Sequence, residues 1–167
     1  TKTEIGERQQ MRYFLTLLVC ALLIAACRPT AGSATTNESA GSSNDTLFYQ
    51  RRGSCYGRCP VFEFVIYRDG RSVFVGTRNV RYEGTYQTTF SSSDFQSILD
   101  VCEEIGFMQL EERYDNEMVT DLPTISTVLN LNGHRKQVDA RYKAPGGLNM
   151  LNEAVDAVID GATWTKM

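Results

Sequence analysis

The chain has 167 residues, a net charge of −3, 42% hydrophobic residues and 10% aromatic residues. That is enough apolar content for one packed domain and too much for a disordered chain. The slight acidic excess leaves no basic footprint, so no nucleic-acid partner is expected.

The N-terminus reads as a targeting segment. Met11-Arg12 precedes "YFLTLLVCALLIAA", residues 13–26, which carries no charge. The run is shorter than the roughly 20 apolar residues that span a bilayer as a helix, and it suits the core of a secretory signal. It ends in Ile24-Ala25-Ala26-Cys27, which resembles the lipobox of bacterial lipoproteins. The resemblance implies a signal peptide over residues 1–27, cleaved before Cys27, with several acyl chains on Cys27. Met11 is the expected start. Each buried methylene contributes roughly 0.8 kcal/mol, so two or more chains anchor a body stably where one does not. The expected location is the cell envelope, outside the cytoplasm, with a membrane as partner through the lipid.

Residues 28–46 are Ser, Thr, Gly, Ala and Asn in low-complexity order, which predicts a flexible tether. Asn37 and Asn44 each begin a glycosylation sequon, read here as chance. A single domain is expected over residues 47–167. "VFEFVIYRDGRSVFVG", residues 61–76, alternates around Asp69-Gly70 and predicts a hairpin. A two-residue turn there pairs Ile66 with Val73 and Phe64 with Val75. Phe62, Phe64, Ile66, Val73 and Val75 then share the core face. Residues 79–90 read as a third strand with Gly84 as a bulge.

A capping box of Ser93 and Gln96 predicts a helix start. Phe95, Ile98, Leu99, Cys102 and Ile105 fall on one helical face, and Gly106 is the expected stop. Residues 107–114 suit a helical turn or a short strand. Residues 124–142 predict a second hairpin around Asn132-Gly133, and residues 144–164 a second helix. That helix turns Leu148, Leu151, Val155, Val158 and Ile159 inward, and Trp164 is expected to cap the core. The sum is an α+β domain: about five antiparallel strands in two hairpins, with two helices packed on one face.

Five cysteines need places. Cys20 leaves with the signal, Cys27 takes lipid, and Cys102 sits on the apolar helix face as a buried thiol. That leaves Cys55 and Cys59 in "SCYGRCPVF". Outside the cytoplasm two thiols this near oxidise where geometry allows, Gly57 can supply an unusual backbone angle, and Pro60 suits a strand's first position. A structural disulfide is therefore the reading carried forward. Two others compete with it. C-x-x-x-C-P resembles the motif of thioredoxin-like copper chaperones, which add a distant histidine, and the single histidine here is His134. That family sets its motif before a helix, whereas here it runs into "VFEFVIY". A thiol-disulfide catalyst would need a depressed thiol pKa, for which Arg58 is a nearby cation.

Taken together, "RRGSCYGRCPVFEFVIYRDGRSVFVG", "VRYEGTY", "SSSDFQSIL" and "TDLPT" resemble a domain-of-unknown-function family of bacterial, Bacteroidota-type lipoproteins. Its pattern is C-x-G-x-C-P-x-[FY], an Asp-Gly hairpin and a later Asp-x-Pro. The matching positions are Cys55, Gly57, Cys59, Pro60, Phe62, Asp69, Gly70, Gly84, Asp121 and Pro123. No activity comes with the resemblance.

Charge is uneven along the chain. Arg51, Arg52, Arg58, Arg68, Arg71, Arg78 and Arg81 crowd the first sheet region, and Asp100 to Asp121 is rich in carboxylates. Solvated faces on opposite sides are the plain expectation; a basic face could also meet anionic head groups or glycans. Glu111, Glu112, Asp115 and Asp121 lack the spacing of a dedicated calcium loop. There is no phosphate loop, dinucleotide fingerprint, zinc spacing or catalytic triad, so no cofactor and no enzymatic residue is assigned. The expectation is a non-catalytic binding or interaction domain whose partner is an envelope protein or glycan. The alternative is an envelope thiol-redox or copper-handling protein using Cys55 and Cys59.

Overall fold

A computed structural model describes residues 45–167. The signal peptide, the Cys20 and Cys27 assignments, the first sequon, Asn44 of the second and nearly all of the tether lie outside the described residues. Eight strands form one sheet: β1 (Thr46–Arg52), β2 (Val61–Tyr67), β3 (Arg71–Arg78), β4 (Gly84–Thr89), β5 (Arg113–Tyr114), β6 (Ile125–Leu131), β7 (His134–Ala140) and β8 (Thr165–Lys166). Two helices accompany them, α1 (Gln96–Glu104) and α2 (Gly147–Gly161), with a 3-10 turn at Phe107–Gln109. The strand order is β5-β7-β6-β1-β2-β3-β4-β8, antiparallel throughout except for the β5–β7 pair. The α+β class holds; the sheet has eight strands rather than about five. Two of the additions, β5 and β8, are two-residue edge strands, and β1 lies at the middle of the sheet.

One face of the sheet meets the helices. Cross-strand pairing aligns Leu129, Phe48 and Ile66 in one row and Gln50, Phe64 and Phe74 in the next. These apolar residues join Ile98 and Cys102 of α1 and Leu148, Leu151, Val155, Val158 and Ile159 of α2 in a single hydrophobic cluster. The inward residues of α2 are those its periodicity predicts. Trp164 packs on Phe74, Phe64 and Phe90 with ring centroids 5.7, 6.2 and 6.0 Å away, and its Nε1 donates to the Ile159 carbonyl at 2.9 Å. Such contacts let an amphipathic ring close the rim of a core while its N–H stays bonded.

The first hairpin differs from the sequence expectation by one residue. Ile66 pairs with Ser72 and Phe64 with Phe74, so Val73 and Val75 face the other side. The connection is three residues, Arg68, Asp69 and Gly70. Gly70 N donates to the Tyr67 carbonyl at 3.0 Å, and Gly70 has φ of 85°. This is the turn-plus-left-handed-residue loop, in which glycine takes the third position. A slip of one residue exchanges the faces of a strand, which is why Phe74 is buried and Val75 exposed. The second hairpin matches expectation: Leu131 pairs with His134 across Asn132 and Gly133, whose φ values are 51° and 79°.

Two local expectations are corrected. Gly84 begins β4 opposite Gly76 with no shift of register, so it is not a bulge. Ser93 makes no capping bond to α1. The reciprocal bonding sits two residues earlier: Ser91 N and Oγ both donate to Asp94 Oδ2, at 2.6 and 2.7 Å, closing a turn before the helix. Asp94 completes this turn because its carboxylate can accept both donors at once. Gly106, with φ of 61°, ends the helical segment as expected. Residues 107–114 supply both the 3-10 turn and β5.

Candidate functional site

Beneath α2 the inner face of β1 is polar. Gln50 and Arg52 are buried, at 0% and 7% exposure, beside Phe48. Arg52 donates to Gln50 Oε1 (3.1 Å), to the Asn152 carbonyl (2.9 Å) and to Asp156 (3.0 Å), and its guanidinium lies 4.9 Å from the Phe62 ring centroid. Gln50 in turn donates to Asn152 Oδ1 (3.1 Å) and Thr127 Oγ1 (3.3 Å). A buried guanidinium is tolerated because several acceptors replace its water. This network fastens α2 to the sheet. Sequence reasoning missed it: Arg52 was expected on a solvated basic face, and a strand whose inward positions read Phe-Gln-Arg does not look apolar.

Three of the other six arginines are engaged locally. Arg51 lies 3.7 Å from Glu63, Arg71 is paired with Asp69 at 2.7 Å, and Arg68 donates to the Asn130 carbonyl at 3.0 Å. The Arg71 guanidinium holds the Asp69 carboxyl below the usual carboxylate range.

The cysteine loop stands at one end of the sheet, between β1 and β2. The sulfurs of Cys55 and Cys59 are at disulfide distance, with Cα atoms 5.8 Å apart, and Gly57 between them has φ of 152°. The loop is tied to the residues before β6. Gly53 N donates to the Thr124 carbonyl (2.9 Å) and Tyr56 N to the Asp121 carbonyl (3.1 Å). Asn79 Nδ2 reaches the Cys59 carbonyl at 3.1 Å from the β3–β4 connection. The two segments quoted as "SCYGRCPVF" and "TDLPT" thus meet, although residues 63–119 separate them. Tyr56 projects from the loop with 95% exposure.

His134 is not part of this end. It lies at the β6–β7 turn, whereas the loop contacts the residue before β6 begins. The seven-residue β6 separates them, about 20 Å at roughly 3.3 Å per residue. The structure therefore does not bring His134 to Cys55 and Cys59. Cys102 is a buried free thiol, and burial pushes it up to about 12.

Beside Thr124 opens a polar cavity of about 250 Å³, lined by Arg113, Tyr114, Asp115, Thr124, Ser126, Asp139 and Arg141. Strand pairing builds it: Arg113 of β5 is opposite Asp139 of β7, which is opposite Ser126 of β6. Asp115 is the hub. It accepts from Arg113 Nη2 at 2.8 Å, Arg141 Nε at 2.5 Å and Asn116 N at 2.7 Å. The bond from Arg113, then that from Arg141, brings its carboxyl down to about 2 against the opposing effect of burial. Asp139 accepts from Gln137 Nε2 at 3.2 Å. Of the acidic residues first weighed for calcium, Asp115 is therefore spent on two arginines, and no cluster of three metal-ligating side chains occurs among the described residues. Larger clefts of about 470 and 480 Å³ lie elsewhere, one between β4 and α2 and one beside α1, and neither is lined by paired ions.

A model of the family described as Domain of unknown function (DUF6438) matches residues 46–159. The chain belongs to this family. No curated protein matches it. The DUF6438 match contains the cysteine loop, Asp121–Thr124, the polar cavity and the buried Arg52 network, while Trp164 and β8 fall beyond it. No helix among the described residues is long and apolar enough to cross a membrane.

Proposed function

We propose that this chain is a non-catalytic binding domain of the bacterial cell envelope, held to a membrane by acyl chains on Cys27. The observation that carries the reading is the meeting of the cysteine loop and the Asp121–Thr124 segment beside a cavity of convergent polar groups. A concave site with a few oriented polar side chains is the usual form of a small-ligand site. The uncharged run ending in Ile24-Ala25-Ala26-Cys27 supports the anchor, and sulfurs at disulfide distance suit an oxidising compartment. In this reading the Cys55–Cys59 bond is a staple.

Two measurements test it. Wild type and Cys27→Ser are labelled with palmitate in a bacterial host; equal labelling rejects the anchor. Free thiols are then counted with and without glutathione. A pair that resists glutathione supports the staple. One observation favours a second reading: the loop between the sulfurs is open to solvent, with Gly57, Arg58 and Tyr56 all exposed. Ready reduction, or copper taken up in proportion to protein, would assign the cysteines to thiol exchange or metal handling instead.

A further inference from the structure

We propose that the cavity between β5, β6 and β7 binds a neutral saccharide ring. The inference rests on the binding-domain reading above and names the ligand class of the same site.

Charge comes first. The lining holds two guanidiniums, Arg113 and Arg141, and two carboxylates, Asp115 and Asp139, which balance. They are also paired internally: both arginines converge on Asp115, and Arg113 stands opposite Asp139 across the parallel strand pair. An anion or a cation would gain one partner here and meet its like charge beside it. A net-neutral ligand pays no such penalty.

Hydrogen-bonding capacity comes second. The hydroxyls of Thr124 and Ser126 make no hydrogen bond among the described residues. Asp139 receives only the Gln137 amide on its side chain, which leaves acceptor positions open on both oxygens. Arg113 uses one terminal nitrogen on Asp115 and is otherwise 72% exposed. The unspent groups are thus a carboxylate that can accept from two adjacent hydroxyls, a guanidinium that can donate to a ring or hydroxyl oxygen, and two hydroxyls that do either. Vicinal diols carry donors and acceptors in that alternation. Tyr114, one residue on from Arg113, turns its ring to the core on the other face of the sheet, so the side chains offered to a ligand are polar.

Size comes third. About 250 Å³ is below the roughly 300–1,000 Å³ of pockets for drug-sized ligands, so the cavity takes one ring and leaves a chain's neighbours in solvent. Rigidity is supplied by the two arginines that fix Asp115 and by the backbone bonds from Asp139 N to the Glu112 carbonyl (2.9 Å) and from Arg141 N to the Tyr114 carbonyl (2.8 Å).

The experiment uses the full chain in detergent, titrated with glucose, galactose, mannose and N-acetylglucosamine and followed by saturation-transfer NMR. Acetate, an anion, and glycine, a zwitterion whose two separated charges could each meet an opposite charge in the lining, are the ionic controls, and each titration is run at low and high salt. The expected result is that at least one sugar binds, with at most a twofold change between salts. Ser126→Ala and Asp139→Ala each weaken it at least tenfold, and Arg71→Ala, at the β2–β3 turn, leaves it unchanged. Near-ultraviolet circular dichroism of Trp164 checks folding; if Asp139→Ala fails that check, Ser126→Ala and Thr124→Ala carry the comparison. Sugar binding that ignores these substitutions overturns the assignment. Salt-sensitive binding of glycine or acetate, lost in Asp139→Ala, overturns the saccharide class while sparing the binding-domain reading. If no probe binds, both fall.

Discussion

Replacing Arg52 by methionine isolates what the buried polar network contributes. Methionine keeps an unbranched stem of similar reach against Phe62, so the loss is in polar contacts rather than volume. Three contacts go. Those to Gln50 Oε1 and the Asn152 carbonyl, at 3.1 and 2.9 Å, are shielded by α2. A hydrogen bond from a charged donor contributes about 1.5 kcal/mol at the low end of its range, so these two contribute about 3 kcal/mol. The third, to Asp156, is discounted because that side chain is 49% exposed and water screens it; it adds less than about 1 kcal/mol. The sum is a loss of about 3–4 kcal/mol. Trp164, the single tryptophan, sits on the core and reports unfolding by its fluorescence in urea. With a urea slope of about 2 kcal/mol/M, the midpoint should fall by about 1.5–2 M. Adding Gln50→Leu to Arg52→Met removes an acceptor that the first change orphans, so the double variant should lose less than the sum of the two single variants by at least about 1 kcal/mol. A midpoint shift below about 0.5 M for Arg52→Met, or strict additivity with Gln50→Leu, would refute the reasoning and leave the network energetically neutral.

Three further outcomes are expected. Cys55→Ser with Cys59→Ser should cost about 2 kcal/mol, the loop-closure value for a separation of 4, read as a urea-midpoint shift of about 1 M in the absence of reductant. Gly76→Ala should destabilise severely, because a Cβ there would collide with the Tyr82 carbonyl and the Val80 side chain, while Gly133→Ala meets no atom and bears only the strain of its φ of 79°; thermal melts of the two rank them. Asp115 has a folded pKa depressed from 3.8 to about 2, so the stability it contributes is fully present above pH 3.8 and is lost as pH falls toward 2. Acid titration of Asp115→Asn should therefore show a shallower decline than wild type across that window, and an identical decline would show that the arginines do not hold its charge.

The sequence made visible those features whose cause is local. Asn132-Gly133 takes left-handed φ at both residues, a demand few other pairs meet, and the hairpin register follows from it. The inward stripe of α2 is periodic and unbroken. Asp69-Gly70 misleads because Asp-Gly serves both a two-residue turn and the end of a three-residue loop; β3 offers Val73 and Val75 on one face and Phe74 on the other, so either register buries apolar residues. The larger Phe74, between Val73 and Val75, was the one residue that favoured the observed pairing. β1 was hidden by its own function: its inward residues include Gln50 and Arg52, whose partners lie about a hundred positions away on α2. The cysteine pair was legible because its partners are neighbours in sequence. The cavity was not, because alternating polar residues on β5, β6 and β7 look like solvated positions until the strands are placed side by side.

That placement also separates the cysteine loop's role from the cavity's. The residues that line the cavity stand on β5 and β7, on Arg141 just beyond β7, and at Thr124 and Ser126, and most are fixed by strand pairing and by Asp115 rather than by the loop. The loop reaches the cavity wall at one point, the bond from Gly53 N to the Thr124 carbonyl. Opening the sulfur bridge leaves residues 54–60 held only by the Tyr56–Asp121 and Asn79–Cys59 bonds, and it leaves Gly53 at the end of β1, whose strand bonds to β6 hold Thr124 close by. A staple and a site so weakly joined should respond separately. Removing the bridge should lower stability while changing ligand affinity by no more than the loss of one hydrogen bond, about 0.5–1.5 kcal/mol or up to roughly tenfold. A larger loss of affinity in the folded double serine variant would mean that the loop itself touches the ligand, through Tyr56 or Arg58.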